Sequence, residues 1–157
     1  MKKKIFTLFA SLMMCIAMFG WDGSGTSTEP YLIQSAEDLK TLATNVNGGN
    51  NYSGIFFKMT SDIDLTNEEW MPIGNATTKF QGKFDGNDFV VRNLVINQTS
   101  ETEVQGVGLF GFVLQAEIKN LGLQTATVNI GFANSVGALI GVLKMPHNTK
   151  SKKKNDL

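Results

Sequence analysis

The chain has 157 residues, 42% of them hydrophobic, which is enough for one domain and too few for two with independent cores. Its formal net charge of zero hides an uneven distribution: from Trp21 to Leu143 six basic residues stand against thirteen acidic ones, a net of −7, and the remaining cations lie in the first four and last fourteen residues. An acidic body with dispersed cations argues against nucleic acid as a partner, because phosphate binding needs them clustered.

Lys2, Lys3 and Lys4 precede the uncharged run "IFTLFASLMMCIAMFGW" (5–21), the layout of a secretory signal peptide, expected over 1–20. A membrane anchor fits less well, because the run is short for a span and leads into the turn-rich "DGSGTSTEP" (22–30) rather than a basic flank. The single cysteine, Cys15, falls inside this run, so the exported body would have no disulfide and would be held by packing alone. Cys15 as a lipoprotein acylation site is the weaker reading, since Met14 is bulky where such sites want a small residue.

Residues 21–30 read as a linker. "SAEDLKTLATNVNGG" (35–49) then predicts a helix over 35–47. Ser35 is a good N-cap with Asp38 three residues on, Leu39, Leu42, Ala43 and Val46 recur at helical spacing, and Gly48 is placed to end it. From Tyr52 the signal changes to short strands: "GIFFKMT", "IDL", "GKFDG", "FVVRNLVI", "GLFGFV", "EIKNLGL", "ATVNI" and "GALIGVL", punctuated by Gly, Asn and Asp. The expected class is all-β. The closing "KMPHNTKSKKKNDL" (144–157) has no apolar periodicity and reads as a disordered lysine-rich tail.

A repeat separates a solenoid from a sandwich. Leu94 of "VVRNLVIN" and Leu121 of "EIKNLGLQ" are 27 residues apart, and Gly108 of "VGLFG" and Gly137 of "VGALIG" 29 apart. Two landmarks at nearly one period predict stacked coils, with Leu and Ile inward, glycines turning the chain, and Asn93 and Asn120 stacked as an amide ladder at a corner.

"YLIQSAEDLKTLATNVNGGNNYSGIFFKMTSDIDL", "WMPIG", "FQGKFDGNDFVVRNLVI" and "GVGLFG" followed by "IKNLGL", in that order over about residues 29 to 143, resemble the β-helix region of bacterial surface proteins carrying the GLUG motif. That region also occurs upstream of the catalytic domain in zinc-dependent immunoglobulin A peptidases and in large adhesins. The resemblance implies a right-handed parallel β-helix over 31–143 with one N-terminal capping helix. The sequence departs from the pattern where Asp88 replaces a customary glycine. It departs again after Leu143, where lysines replace further coils, so the chain is expected to be the N-terminal piece of a longer solenoid. Leu139, Ile140, Val142 and Leu143 are then expected to be less buried than Leu94, Ile96 and Leu121, and the last coil to be a site of self-association.

Candidate chemistry is sparse. Asp62, Asp64, Glu68, Glu69, Asp85 and Asp88 could form a calcium site or an acid and base pair, but turn chemistry explains "SDIDL" and "FDGN" unaided. The one histidine, His147, lies in the polar tail, and neither HExxH nor a body cysteine is present, so no catalytic residue, metal or cofactor is assigned. Most aromatics, Phe56 among them, read as core. Tyr52 and Trp70, beside "GGNN" and "PIG" loops, are the candidate ligand contacts, as carbohydrate-stacking rings. The expected role is an exported, non-enzymatic surface module for adhesion or spacing, with a glycan or host surface protein as partner. The alternative is a carbohydrate-acting β-helix enzyme, whose groove would run along a parallel sheet lined by Asp64 or Asp85 with Lys83 or Arg92.

Overall fold

The computed structural model describes residues 20–66, 68–98, 106–131 and 135–144, with Lys144 described by its backbone alone. The leader with Cys15 and the tail with His147 lie outside the described residues. Strand β1 (Tyr31–Ile33) leads into helix α1 (Ala36–Asn47), and eight strands follow: β2 (Phe56–Met59), β3 (Ile63–Asp64), β4 (Lys83–Asp85), β5 (Val90–Gln98), β6 (Phe110–Leu114), β7 (Glu117–Lys119), β8 (Gly122–Ile130) and β9 (Ile140–Lys144). The expected all-β class is observed.

Every strand pairing is parallel. The first sheet has the order β1-β2-β4-β7, the second β3-β5-β8, and the third β6-β9, with single bridges from Ile73 to Phe110 and from Phe80 to Val113 on the other side of β6. The chain therefore visits the three sheets in a fixed order three times. Such pairing requires each strand to wait for the chain to travel through two other sheets, so short strands and frequent corners are what this topology demands.

The helix forms where its pattern predicts. The Ser35 hydroxyl accepts the Asp38 amide of the first turn at 3.2 Å, and the Asp38 carboxylate reaches back to accept the amide of Gln34, just before the N-cap, at 3.0 Å. Leu39, Leu42, Ala43 and Val46 are buried in the core. Strand β1, too short to show alternation, was not expected. It pairs with β2 so that the helix is the crossover between two neighbouring parallel strands.

Residues 21–30 are not a free linker. The Trp21 ring packs on Tyr31 and Phe57 at 5.4 Å each, its indole N–H donates to the Asp38 carbonyl, and the Gly25 carbonyl accepts the Phe56 amide at 2.9 Å. Gly25 has φ +75, and a Cβ there would meet the Tyr31 ring at 2.6 Å, so this segment is fitted to the sheet it precedes.

Inward positions form one column per sheet: Phe57, Phe84 and Ile118 in the first, Ile63, Val91 and Leu123 in the second, Ile73, Phe110 and Ile140 in the third. Phe80 and Phe84 meet Phe110 from two sides, with centroids 5.3 and 5.5 Å away, and join the columns into one core. Each column is buried through its first two members and half-exposed at the third. Leu139, Ile140 and Val142 are half-buried and Leu143 is 51% exposed, as expected relative to the buried Leu94 and Ile96. Leu121 departs from that expectation, being itself only half-buried.

The two repeat landmarks fare differently. Val107 bridges Val136, so the 29-residue step of the glycine landmark is a true register, and a Cβ on Gly108 would collide with the Gly137 carbonyl oxygen. Leu94, however, pairs with Ala126 and not with Leu121. The steps vary because the connections do: 27 residues separate Phe57 from Phe84, and 34 separate Phe84 from Ile118.

Candidate functional site

Neither aromatic candidate offers a face to a ligand. Tyr52 lies edge-on to Phe57 at 5.1 Å and is 8% exposed, and its hydroxyl is pushed up by burial against an opposing hydrogen bond from Asn45. Trp70 is 3% exposed, with its indole N–H donated to the Leu109 carbonyl at 3.1 Å. Both rings fill core, and their loops hold the backbone around them rather than leaving them open.

The carboxylates act at corners. Asp64 ends β3, and its Oδ1 accepts the Thr66 amide at 2.8 Å, the Thr66 hydroxyl at 2.6 Å and the Asn93 side-chain amide at 2.9 Å. Asp85 ends β4, and its Oδ1 accepts the Asn87 amide at 2.9 Å and the Asn120 side-chain amide at 3.0 Å. These are the same device built twice. An aspartate closes a turn onto the residue two ahead, and an asparagine on the next pass donates to it. That asparagine directly follows the aspartate's register partner, Arg92 or Lys119, and has left-handed φ, 56 for Asn93 and 50 for Asn120.

The likeness of "RNL" to "KNL" is therefore real, but it marks equivalent corners of two different sheets rather than one corner stacked on itself. An amide ladder does occur elsewhere, where Asn129 donates to Asn97 at 2.9 Å. Asp88 sits at φ 66, a backbone conformation that glycine adopts most readily, and its amide donates to the Asn120 carbonyl. Asp62 pairs with Arg92 at 2.6 Å and accepts the Val90 amide, while Glu68 pairs with Lys40 at 2.9 Å. Among the described residues no three His, Cys, Asp or Glu side chains converge to hold a metal ion.

A groove of about 300 Å³, built from several passes of chain, lies on the outer face of the first sheet. Because Phe57, Phe84 and Ile118 point inward, their neighbours on each strand point outward, as the period of two requires. The outward rows are Phe56, Lys83, Glu117 and Lys58, Asp85, Lys119. Ser27, Thr28 and Pro30 line it as well. Three of the six basic residues between Trp21 and Leu143 thus share one face of an otherwise acidic body.

Within the groove Lys119 pairs with Glu117 at 3.0 Å, Lys83 lies 3.9 Å from Glu117, and the Lys83 ammonium stands 4.9 Å over the Phe56 ring. Lys58 has no ion-pair partner among the described residues. Partial desolvation pushes the Asp85 carboxyl up, but the Asn87 and Asn120 hydrogen bonds and the nearby Lys119 and Lys58 outweigh it and hold it below the usual carboxylate range. The hydrogen bond and charge of Glu117 hold the Lys119 ammonium above its ordinary value. The arrangement presents fixed charges and hydroxyls, suited to binding.

Lys58, Lys119 and the outward face of Phe56 were missed from the sequence, which had placed Phe56 in the core. Alternation around Phe57, Phe84 and Ile118 carries the signal, but it becomes readable only once the unequal register steps are known.

No family model matches the chain, and no solved structure matches it. Its sequence is similar to a protein named as a Gly-rich membrane protein from Evansella cellulosilytica, 32% identical over 127 residues, covering 76% of this chain and 14% of that one. It is also similar to halomucin from Haloquadratum walsbyi, 36% identical over 129 residues, covering 76% of this chain and 1% of that one. The chain thus spans a small fraction of the length of the curated relatives it matches, and among the described residues no helix is long and apolar enough to cross a membrane.

Proposed function

We propose that this chain is an exported β-helix module of the GLUG type, located at the cell surface and serving adhesion or spacing without catalysis of its own. The observation that carries the reading is the threefold visit to three all-parallel sheets in fixed order, with equivalent corners closed by the same Asp and Asn device. A crossover between parallel strands is right-handed almost without exception, which supports a right-handed helix. The signal-like leader and relatives named as a membrane protein and as halomucin support the location. The chain's partner in this reading is a glycan or a host surface protein, and the half-exposed last pass provides a surface for association with another copy or with further repeats. Expression of the tagged full chain in a bacterial host tests the location. Tag digestion by protease added to intact cells is expected, and retention of the uncleaved leader with the protein in the cytoplasm would refute it.

A second reading, a carbohydrate-acting enzyme, is favoured by one observation: Asp85 and Lys83 do line a groove on a parallel sheet. Against it, the Asp85 carboxyl is bound into a turn and held low, which unsuits it as a general acid, and the Lys119 ammonium is held high, which unsuits it as a base at neutral pH. Incubation with polygalacturonate is expected to release neither reducing ends nor unsaturated products. Release that disappears in Asp85→Ala would establish the enzyme.

A further inference from the structure

We propose that the groove on the outer face of the first sheet binds an acidic polysaccharide, with Lys58 as its principal anchor and Lys119 as the second. The surface module proposed above supplies only the setting in which such a ligand is met, and the binding itself stands or falls on the groove.

The charge pattern is the first argument. A body of net charge −7 repels polyanions over most of its surface, yet half its cations face this one depression. Lys58 has no ion-pair partner among the described residues and stands in register beside Asp85, whose Oδ1 accepts from Asn87 and Asn120 and whose charge lies near the ammonium without bridging it. Its ammonium can meet an incoming anion without first breaking a bridge.

The spacing is the second. Lys58, Asp85 and Lys119 stand in one row across three adjacent strands, so Lys58 and Lys119 are separated by two strand spacings, about 10 Å. That is comparable to the length of a disaccharide unit, and a chain laid across the strands can place alternate acidic groups at the two ammonium ions.

The walls decide between a sugar and an acidic peptide. Strands β2 and β4 are paired on both sides and β7 is paired toward β4, so the groove across them offers no free strand edge to capture an extended peptide, and the open edge of β7 faces away from it. What it offers is side chains: the hydroxyls of Ser27 and Thr28, the apolar surfaces of Pro30 and Phe56, and the lysines. Hydroxyls, apolar faces and cations together match the hydroxyls, C–H faces and carboxylates of a uronate chain.

Calorimetric titration of the purified full chain with oligogalacturonate tests this. Binding is expected, weakened about tenfold or more in Lys58→Gln, the loss of one charge-assisted contact. Lys79→Gln removes the same charge where the ammonium caps only the Ala76 carbonyl, away from the groove, and is expected to change binding less than about twofold. Thermal melts of both variants should match the parent, which separates a lost contact from a lost fold. Equal weakening by both substitutions, equal binding of the fully methyl-esterified oligomer, equally tight binding of polyglutamate, or no binding of oligogalacturonate would each overturn the proposal, whatever the location of the protein in cells.

Discussion

Phe84 and Ile118 are register partners in one column of the first sheet, both pointing inward, yet Phe84 is 1% exposed and Ile118 is half-exposed. The same difference separates Val91 from Leu123 and Phe110 from Ile140. An inward-pointing side chain in this architecture is sealed when chain covers it on both sides, by a neighbouring pass or, at the first pass, by the core that helix α1 joins. Phe84 has Phe57 before it and Ile118 after it, whereas nothing described follows Ile118. Truncating the two should expose the contrast. Phe84→Ala is expected to cost about 3–5 kcal/mol in chemical denaturation, and Ile118→Ala less than about 2 kcal/mol, because its side chain gives up less burial. Equal losses would mean that the last pass is as well packed as the middle one.

The corners show no such gradient, and they provide the next largest effects. Asn93 and Asn120 each donate to an aspartate on the preceding pass from a left-handed backbone. Replacement by alanine removes that hydrogen bond and puts a residue that tolerates the left-handed region less well than asparagine there, so Asn93→Ala and Asn120→Ala are each expected to lose about 1–2 kcal/mol. Asn→Gly at the same sites should recover part of it, since glycine accepts positive φ without strain. If alanine and glycine are equally harmful, the amide alone matters and the backbone argument fails.

The partners of those amides tie the corners to pH. Hydrogen bonds from Thr66 and Asn93 hold the Asp64 carboxyl low. For Asp85 partial desolvation opposes the shift, but the bonds from Asn87 and Asn120 prevail. Carboxyls whose folded values are depressed stabilise the fold fully above their unfolded value, about 3.9, and lose that contribution as pH falls through the folded values. The denaturation midpoint is therefore expected to hold from neutral pH to about 4 and to decline below it. The decline should be shallower in Asp64→Asn, which keeps an oxygen acceptor but does not titrate. A midpoint independent of pH down to strongly acid conditions would show that the two corner carboxylates contribute nothing to folding.

What the sequence disclosed follows the range of the interactions involved. Helix α1 is legible from Ser35, Asp38 and the spacing of Leu39, Leu42 and Val46, because capping and amphipathicity act within a few residues. The strands are legible as apolar runs, and their corners as Asn, Asp and Gly, since φ preference is a property of the residue itself. Register is not local. The match of Leu94 to Leu121 looks like a period and is a coincidence of two corners, while the match of Gly108 to Gly137 is a true neighbour pair, because only there does close backbone approach exclude a side chain. The groove depends on register across three strands, so Lys83 was readable as a partner for Asp85, while Lys58 and Lys119 were scattered cations until β2, β4 and β7 were laid side by side. Tyr52 and Trp70 were misplaced for the opposite reason. Loop-flanked aromatics look accessible in a sequence, and only packing shows that Phe57 covers one and that the Leu109 carbonyl fixes the other.

The smallest expected effect on stability tests the open side of the comparison. Val136 and Leu143 are 49% and 51% exposed, so a polar replacement at either gives up little buried area, and Leu143→Ser is expected to change the unfolding free energy by no more than about 0.5 kcal/mol. Association should respond more strongly than folding. Strands β7, β8 and β9 each present a far edge on which no described strand is paired, and the half-exposed Ile118, Leu123 and Ile140 lie along the same end. Unpaired edges beside apolar side chains favour pairing with another chain, and a polar group inserted among them opposes it. Sedimentation of the full chain over a range of concentrations should show self-association that is weakened in Leu143→Ser and unchanged in Met71→Ser, a substitution at the comparably exposed Met71, which lies between Trp70 and the Ile73 bridge rather than on the last pass. A chain that stays monomeric at all concentrations, or one whose association is equally sensitive to both substitutions, would show that the last pass is closed off despite its exposed side chains.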